Sequence, residues 1–394
     1  MNSSLKILVL NSGSTSQKVA LVEASRQSQS NDIATDIVWK NEQSNLKPEQ
    51  SRFEAIEILI SEMQRETGFA SDEIAAVGHR VVHGGPDFIR AQVIDESSRT
   101  KLDELVSLAP LHNKYAVQGM NYCFENYPEL TQIALFDTGF HSTLENKRKV
   151  YPLPYSWYQE HGIRKYGFHG INLSYCLIRL KQMLKEGERR DLANFDKGKI
   201  VVAHLGGGCS ITAIEDGKSV DTTMGFTPLE GMIMATRSGS IDPGILGYVC
   251  DNLGYDSRTI QDILNRQSGI KGVSGLTGDM QELLLASEAG LVRAQLAVDM
   301  FVDSAVKHIG AMVASLGGIN CLVFTGGIGE NSPLLRSLIA ERLDFLNLKI
   351  DQEANSKVEI DGEIGSNSES PSVFVIKSNE YSQIARDSYL LLTR

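Results

Sequence analysis

The sequence lacks the features of secreted and membrane proteins. Its five cysteines are odd in number, scattered, and form no Cys-x-x-Cys pair, which is typical of reduced thiols in a cytosol. No stretch of about eighteen consecutive apolar residues occurs, so no membrane-spanning helix is predicted. The first apolar run, residues 7–10, stops at Asn11 and is too short for a signal peptide. We therefore expect a cytoplasmic protein that does not enter a membrane.

Positive charge is also scarce. The chain carries 38 Lys and Arg against 49 Asp and Glu, and its net charge of −11 repels polyanions. Nucleic acid and acidic membranes are therefore not expected as partners. Any anion that the protein binds must be held by a local cluster of cations. The hydrophobic fraction of 42% is ordinary for a globular protein, and 394 residues suggest two domains.

The same strand-turn-strand pattern occurs in both halves of the chain. The segment KILVLNSGSTSQKVALVE places a tip of small polar residues between two apolar strands, and KIVVAHLGGGCSITAIEDG repeats that arrangement. When the two are superimposed, Asn11 falls on Leu205 and Ser16 falls on Ser210, which indicates an internal duplication. Such tips expose backbone N–H groups that suit phosphate oxygens, although either one alone could be an ordinary surface hairpin. Neither is a P-loop, because a strand follows the tip.

Candidate charged residues for an anion site lie near glycines at the ends of predicted strands. Arg80 in GHRVVHGG and Arg237 in ATRSGSIDPG could reach a cleft, although each alone is more often part of a surface ion pair. His169 in KYGFHGI could equally be a packed polar residue. Asp137 and Glu380 could hold Mg²⁺ through water or orient the arginines. A third glycine-rich segment, FTGGIGENS, is predicted to be a turn before a helix whose positive end would face a nucleotide.

Together these segments resemble a known family. The motifs VLNSGSTSQK, GHRVVHGG, LAPLHN, FDTGFH, YGFHG, AHLGGGCS, DTTMGFTPLEG, TRSGSIDPG, TGGIGENS and SNE occur in the order that is typical of acetate kinase and its close relatives. The resemblance covers essentially the whole chain. It implies an α/β fold, the duplicated actin-like (ribonuclease H-like) ATPase fold, with two domains and a nucleotide cleft between them. We expect these domains at 1–150, joined by the C-terminal helix 382–394, and at 151–381.

The resemblance also implies a role for each matching residue. Arg80 and Arg237 would bind the acid's carboxylate and the transferring phosphoryl group, His169 would donate to that group, and Asp137 would organise the centre. The other implied contacts are Asn11 and Glu380 for Mg²⁺ (or Mn²⁺); Ser14, Ser16, Lys18, His204, Gly206, Gly207, Gly208 and Ser210 for the phosphates of ATP; Asp279, Met280, Gly327, Gly329, Glu330 and Asn331 for the adenosine; and Val82, Leu111, Phe168 and Pro228 for the alkyl group of the acid.

The implied reaction is reversible in-line transfer from ATP to acetate, which gives ADP and acetyl phosphate. A carboxylic acid with a pKa near about 4.3 is already the nucleophilic anion at neutral pH, so no general base is required. Asp137 is therefore expected to orient an arginine or a metal-bound water instead of removing a proton. The resemblance further suggests a homodimer through the second domain, where the predicted long helix LVRAQLAVDMFVDSAVKHIGAMVASLG could contribute.

Several positions depart from the family pattern and keep alternatives open. Ile171, Asn172 and Leu173 replace Thr-Ser-His, Gly207 replaces Asn, Ser240 and Tyr381 replace acids, Gln281 replaces Arg, and Lys114 replaces Pro. The loss of Asn at position 207 and of Arg at 281 predicts weaker nucleotide binding and tolerance of GTP. A kinase for propionate or butyrate is one alternative reading. A nucleotide-binding regulatory module that has lost efficient transfer is the other.

Overall fold

The computed structural model describes residues 4–13, 16–27, 32–46, 52–107, 113–186, 198–359, 361–366 and 371–394. Contacts within the chain divide it into two compact units. The first unit comprises Met1–Ser142, His169–Tyr175 and Asn379–Arg394, and the second comprises Thr143–Phe168 and Cys176–Ser378. The domain limits expected from the sequence stay a prediction.

Each unit contains one mixed β-sheet. The strands of the first are β1 (Leu5–Ser12), β2 (Gln17–Arg26), β3 (Ile33–Gln43), β4 (Ala76–Val81), β5 (Gln92–Val93) and β6 (Thr131–Phe136), in the spatial order β3-β2-β1-β4-β6-β5. The strands of the second are β7 (Lys199–Leu205), β8 (Cys209–Glu215), β9 (Lys218–Thr222), β10 (Cys321–Thr325), β11 (Gly362–Glu363) and β12 (Ser372–Val375), in the order β11-β12-β10-β7-β8-β9.

The two sheets have the same topology. Read from the opposite edge, the second order is β9-β8-β7-β10-β12-β11, which matches the first strand by strand. In both, a three-stranded antiparallel meander joins two parallel strands, and a short antiparallel strand forms the far edge. The duplicated α/β fold predicted from the hairpins is therefore confirmed.

The hairpin tips themselves are not superimposable residue for residue. In the first, Ser12 pairs with Gln17, and four residues of the sequence separate the two. In the second, Leu205 pairs with Cys209, so the tip is one residue shorter. Ser210 pairs with His204 inside the ladder, whereas Ser16 lies in the tip. The predicted equivalence of Ser16 and Ser210 is therefore wrong.

Helices cover the sheets. They are α1 (Arg52–Thr67), α2 (Glu96–Glu104), α3 (Asn113–Asn126), α4 (Asn146–Lys149), α5 (Tyr155–His161), α6 (Gly170–Glu186), α7 (Gly244–Leu253), α8 (Ser257–Asp262), α9 (Gly269–Ser274), α10 (Met280–Glu288), α11 (Val292–Leu316), α12 (Gly326–Asn331), α13 (Pro333–Glu341), α14 (Gln352–Lys357) and α15 (Glu380–Leu392). None of the described helices is long and apolar enough to cross a membrane.

Strand β1 shows how the core forms. Leu8 and Leu10 point to one face of the sheet and pack in a cluster with the buried stripe of α1. Ile7 and Val9 point to the other face and pack in a cluster with Ile384 of α15. Because alternate side chains lie on opposite faces, a strand that is covered on both sides must be apolar throughout. This requirement ends at Asn11, where β1 reaches the edge of the core.

Candidate active site

Polar residues follow the apolar parts of three neighbouring parallel strands in the first unit. Strand β4 lies between β1 and β6 and runs parallel to both. Asn11 is near the end of β1, Arg80 is near the end of β4, and Asp137 directly follows β6. The carboxyl ends of parallel strands are where α/β sheets bind ligands. Glu380, the first residue of α15, reaches the same edge through its contacts with Asn11 and Arg80.

Arg80 is held between two carboxylates. Its Nη2 donates to Asp137 Oδ2 at 2.7 Å, its Nε lies 3.4 Å from Asp137 Oδ1, and its Nη1 lies 3.0 Å from Glu380 Oε2. The Asp137 side chain is only 1% exposed, against 19% for Arg80. Burial alone would lower the pKa of Arg80, but the attraction of Asp137 and Glu380 raises it above the usual value. The guanidinium is therefore a fixed and permanent cation.

Glu380 is the partner of Arg80 whose surroundings raise the pKa of its carboxyl group. Burial raises the pKa of Glu380, the Arg80 cation opposes that change, and the neighbouring Asp137 adds to it. Asn11 Nδ2 donates to Glu380 Oε2 at 3.2 Å. Lys18 pairs with Asn11 across the β1–β2 ladder and therefore shares its face of the sheet, while its Nζ lies 2.9 Å from Glu42. The edge thus carries cations and carboxylates in close alternation.

These oxygen donors suit a hard cation such as Mg²⁺ better than a metal that prefers nitrogen or sulfur ligands. No group of three His, Cys, Asp or Glu side chains in the described part of the chain is arranged to hold a metal. The Asn11 amide and the carboxylates of Glu380 and Asp137 instead form a sparse oxygen set. Mg²⁺ keeps several waters and is usually bound by one or two carboxylates together with substrate phosphates. The residues present therefore fit Mg²⁺, or Mn²⁺, which accepts the same ligands.

His169 adjoins this edge through the backbone. It has a left-handed conformation with φ of 61°, which is uncommon for a residue other than glycine and often marks a functional position. The next residue, Gly170, donates its N–H to the Asp137 carbonyl oxygen at 2.9 Å. A Cβ at Gly170 would overlap that same oxygen, so only glycine permits the approach. The start of α6 is thereby tied to the residue that holds Arg80.

Arg237 has a different environment in the second unit. Its Nη1 lies 3.3 Å from the Pro228 carbonyl oxygen and 3.9 Å from the Met234 sulfur. No Asp or Glu among the described residues forms an ion pair with it. Burial lowers the pKa of Arg237, and the nearby Cys209 opposes this only in part. A partly buried cation without a carboxylate partner lowers the stability of the folded protein, and an anionic ligand that pairs with it would offset this cost.

A cavity of about 630 Å³ opens beside the second hairpin tip. This volume lies in the usual range of small-molecule sites. The cavity is lined by Gly206, Gly207, Gly278, Asp279, Met280, Gln281, Leu284, Gly327, Ile328, Asn331 and Ser332. Six of the residues predicted to bind ATP are therefore brought together here. Asp279 also caps α10, because its Oδ1 accepts from the N–H groups of Gln281 at 2.8 Å and Glu282 at 3.0 Å.

Comparison with known proteins agrees with this arrangement. The sequence pattern of the acetokinase family matches residues 6–386. The chain belongs to the acetokinase family. It is 40% identical over 411 aligned residues to the acetate kinase of Nostoc punctiforme, and this alignment covers 98% of the present chain and 100% of that protein. It is 37% identical to acetate kinase 2 of Clostridium perfringens, with 99% and 100% coverage.

Solved structures of the family have the same fold. The acetate kinase of Porphyromonas gingivalis superimposes with a TM-score of 0.85 at 33% identity and covers 98% of this chain and 100% of that chain. A propionate kinase from Francisella tularensis superimposes with a TM-score of 0.83 at 36% identity and covers 97% and 98%. The predicted resemblance to the acetokinase family is confirmed.

Not every residue that the family resemblance marks lies on the cavity. The Glu330 carboxylate accepts from the backbone N–H groups of Gly326 and Ser378, both at 2.8 Å, so it braces the chain around α12. Gly208, His204, Ser210 and Gly329 are also absent from the cavity lining. In the first unit, Ser16 O accepts from Gly13 N at 2.8 Å within the tip. Ser14 and Leu111 lie outside the described residues.

The predicted pocket for the alkyl group is described only in parts. Val82 belongs to the first unit and follows Arg80 by two residues. Phe168 and Pro228 belong to the second unit, where Phe168 is 1% exposed. The amides of Tyr166 and Gly167 both donate to the Gly225 carbonyl oxygen, at 3.0 and 3.3 Å. The chain before Phe168 is thereby fastened to the chain that leads to Pro228.

Several of the departures from the family pattern fit their surroundings in the structure. Ser240 Oγ accepts from Gly231 N at 3.1 Å, so a hydroxyl can serve where the family usually has an acid. Gly207 is exposed, and a Cβ there would meet no atom within 4 Å. Ile171 and Leu173 are buried, at 4% and 0% exposure, as apolar residues in a packed helix should be. Tyr381 packs against the core of the first unit.

Two features of the second unit were not predicted from the sequence. The segment FTGGIGENS is not a turn throughout, because Gly326–Asn331 forms the short helix α12. Arg336 is 1% exposed and donates from Nη1 to the carbonyl oxygens of Gly329 and Glu330, both at 2.8 Å. An arginine near the start of α13, within reach of the end of the glycine-rich helix α12, was the available signal, since cations often bind the carbonyls at helix ends.

Proposed function

We propose that this protein catalyses reversible transfer of the γ-phosphoryl group of ATP to acetate, which gives ADP and acetyl phosphate. The contrast between the two arginines is the observation that carries this proposal. Arg80 is already neutralised by Asp137 and Glu380, whereas Arg237 has no carboxylate partner among the described residues. One fixed cation and one cation without a carboxylate partner suit two reactants that are both anions. Family membership and the cavity in the second unit support the same reading.

The chemistry needs charge neutralisation more than proton transfer. Acetate is already an anion at neutral pH and can attack without a base. Both oxygens of Asp137 face the Arg80 guanidinium, so this carboxylate positions the cation and does not remove a proton. In phosphoryl transfer the charge spreads over the equatorial oxygens of the moving group. Arg237 and His169 are proposed to donate to those oxygens, and Arg80 to hold the carboxylate in line.

Divalent metal completes the proposed site. Asn11 and Glu380 would hold Mg²⁺ or Mn²⁺, directly or through water, at the edge where Asp137 also lies. When bound, the ion neutralises the phosphate oxygens of the nucleotide and so lowers the repulsion between donor and acceptor. Lys18 lies on the same face as Asn11 and is proposed to reach the phosphates from the first hairpin together with Ser14 and Ser16.

The donor is proposed to be a nucleotide. The large cavity would remain empty with pyrophosphate, whereas adenosine has the size and the apolar ring face that Met280, Leu284 and Ile328 can contact. Gly207 offers no side chain to the phosphates and Gln281 carries no charge, so ATP should bind with tolerance for GTP. Activity with pyrophosphate and none with ATP would contradict this assignment.

Acetate is proposed as the best acid, with propionate a weaker substrate. The 36% identity to a propionate kinase makes propionate the specific second candidate. One extra methylene is worth about 0.8 kcal/mol when it is buried. A hydrophobic pocket separates neighbouring acids by only about 1–3 kcal/mol, so the preference should be limited.

A homodimer is proposed to form through the second unit. Val292, Leu296 and Met300 recur every four residues on α11 and are 81%, 49% and 41% exposed. Ile245 and Tyr248 of α7 are 47% and 63% exposed, and that helix buries none of its residues. Apolar stripes of this kind mark interaction sites in water-exposed proteins. Light scattering should give twice the chain mass of 43.3 kDa.

The cytoplasm is the proposed location, because acetate and ATP are cytosolic reactants.

Trapping with hydroxylamine tests the function directly. Enzyme, ATP, Mg²⁺ and acetate are incubated with hydroxylamine, which converts an acyl phosphate to a coloured hydroxamate in the presence of ferric ion. We expect hydroxamate that depends on both ATP and the acid. A nucleotide-binding regulatory module would bind ATP but accumulate no hydroxamate, and that outcome would overturn the proposal.

A further inference from the structure

The segment 225–231, here called the acid loop, connects several residues that the proposed function assigns to the acid. It carries Pro228, whose carbonyl oxygen is the acceptor for Arg237 at 3.3 Å. Its first residue, Gly225, accepts from Tyr166 and Gly167 just before Phe168. Contacts that hold the acid loop in place therefore also hold the Pro228 carbonyl against Arg237 and the two residues that precede Phe168.

The two ends of the acid loop are fastened differently. At its far end the Gly231 carbonyl oxygen accepts from Ser240 N at 2.8 Å, and Gly231 N donates to Ser240 Oγ at 3.1 Å. At its near end the amide of Phe226 donates to the hydroxyl oxygen of Tyr151 at 2.8 Å. Tyr151 lies outside the loop, in the chain between α4 and α5. Its hydroxyl is the near-end acceptor, as Ser240 Oγ is the far-end acceptor.

The Tyr151 hydroxyl also joins the two halves of the loop. It donates to Glu230 Oε2 while it accepts from Phe226 N. Burial raises the pKa of Tyr151, and the Glu230 carboxylate raises it further, so the hydroxyl keeps the proton that it donates. A Cβ at Gly225 would overlap both the Glu230 carboxylate and the Tyr151 oxygen. Glycine at this position is what lets the bridge close across the loop.

We propose that Tyr151 is a positioning residue for the acid, because its hydroxyl holds the acid loop in the shape that places Pro228 against Arg237. It touches no reactant itself. The proposal rests on the proposed function, since it concerns the residues assigned there to the carboxylic acid. It extends that function by naming a residue that sets acid binding and acid length without taking part in nucleotide binding.

Removal of one oxygen atom tests the proposal. In the Tyr151→Phe enzyme we expect the KM for acetate to rise about tenfold, because one charge-assisted hydrogen bond is lost and the Phe226 amide loses its acceptor. The KM for ATP should stay within twofold. The ratio of kcat/KM for acetate to that for propionate should fall several-fold, because a looser loop discriminates less. Tyr155→Phe makes the same change on an exposed neighbour and should leave all three values unchanged.

A double-mutant cycle separates this role from general stability. Glu230→Ala should raise the KM for acetate as Tyr151→Phe does, and the double variant should be no worse than the more impaired single variant. Equal increases in the KM for acetate and ATP, an unchanged acid ratio, or fully additive effects would each overturn the inference. If the parent forms hydroxamate from acetate, such a result leaves the proposed function standing. A parent that forms none would overturn both.

Discussion

Replacement of Arg237 by Ala should separate activity from stability. In the folded protein this side chain makes one long hydrogen bond, at 3.3 Å to the Pro228 carbonyl oxygen, and a 3.9 Å contact to sulfur. No carboxylate among the described residues loses a partner when it is removed. Burial already lowers its pKa, which means that the charge is held at a cost to the folded state.

The magnitudes follow from these contacts. Loss of one preorganised donor to a developing charge lowers kcat by about 10² to 10³. That factor corresponds to about 2.7–4 kcal/mol of transition-state stabilisation. Loss of a single weak hydrogen bond costs about 1 kcal/mol of folding stability, which removal of the buried charge would offset in part. The melting temperature should therefore change by no more than a few degrees.

The assay pairs hydroxamate formation with thermal unfolding of the same preparation. Arg237→Lys keeps the charge but not the planar fork, so it should recover only part of the rate and serves as the matched control. A kcat within a few-fold of the parent would refute the assignment. A large fall in melting temperature would refute the claim that Arg237 is uncompensated in the free protein.

Three further predictions follow from the same structure. Arg80→Ala should lower kcat by about 10² to 10³ and, unlike Arg237→Ala, should also cost about 3 kcal/mol of stability, because Asp137 and Glu380 lose their shared cation; an unchanged urea midpoint would contradict this. An Asn side chain in place of Gly207 would have free space, and one added hydrogen bond to ATP should lower the KM for ATP about fivefold. A raised KM would contradict this prediction. Burial lowers the pKa of His79 from 6.5 to about 4. The folded protein should therefore keep its full stability above pH 6.5 and lose about 3 kcal/mol of unfolding free energy as the pH falls toward 4, because the buried ring must then take up a proton. The His79→Gln protein should lose less unfolding free energy over the same pH range.

The first of these revises what the sequence suggests. From the motifs alone both arginines are expected to act in the chemical step, and nothing in the motifs indicates a role for either one in folding stability. The structure shows that Arg80 is a member of a buried ion-pair cluster, and such a cluster is destabilised when one member is removed. Its partners come from β6 and from α15, which are far apart in the sequence, so spacing could not reveal the pairing.

Local signals predicted the elements well. The segment SRFEAIEILISEMQRETG predicts a helix with Phe53, Ile56, Ile60 and Met63 on one stripe and Gly68 at its end. The structure has Arg52–Thr67 as this helix, with Phe53 partly buried, the other three buried, and Gly68 at φ of 74° after it. Ser51, which the sequence favours as the cap of this helix, lies outside the described residues. Asp137 was expected to lie at a strand end where it could orient an arginine, and it binds Arg80. The helix depends on periodicity, which the sequence carries directly, whereas the choice of Arg80 as the partner depends on the order of the strands in the sheet.

The use of individual carboxylates was harder to predict. Glu330 and Asp279 belong to motifs that the family resemblance assigns to the nucleotide, yet their side chains bind backbone N–H groups. Unpaired amides at chain turns and helix starts compete for any nearby acid. Which amides remain unpaired depends on the tertiary path of the chain. For the same reason nothing in the sequence indicates that the Tyr151 hydroxyl accepts from the Phe226 amide.

The fate of the γ-phosphate is the most direct test of the central claim that a carboxylate is phosphorylated. ATP labelled in the γ-phosphate is incubated with enzyme, Mg²⁺ and acetate, and the products are separated before and after hydroxylamine treatment. We expect the label to enter a product that is destroyed by hydroxylamine, in amounts equal to the ADP formed. We expect no such product without acetate. Label found only in inorganic phosphate, or retained in ATP, would contradict phosphorylation of the carboxylate.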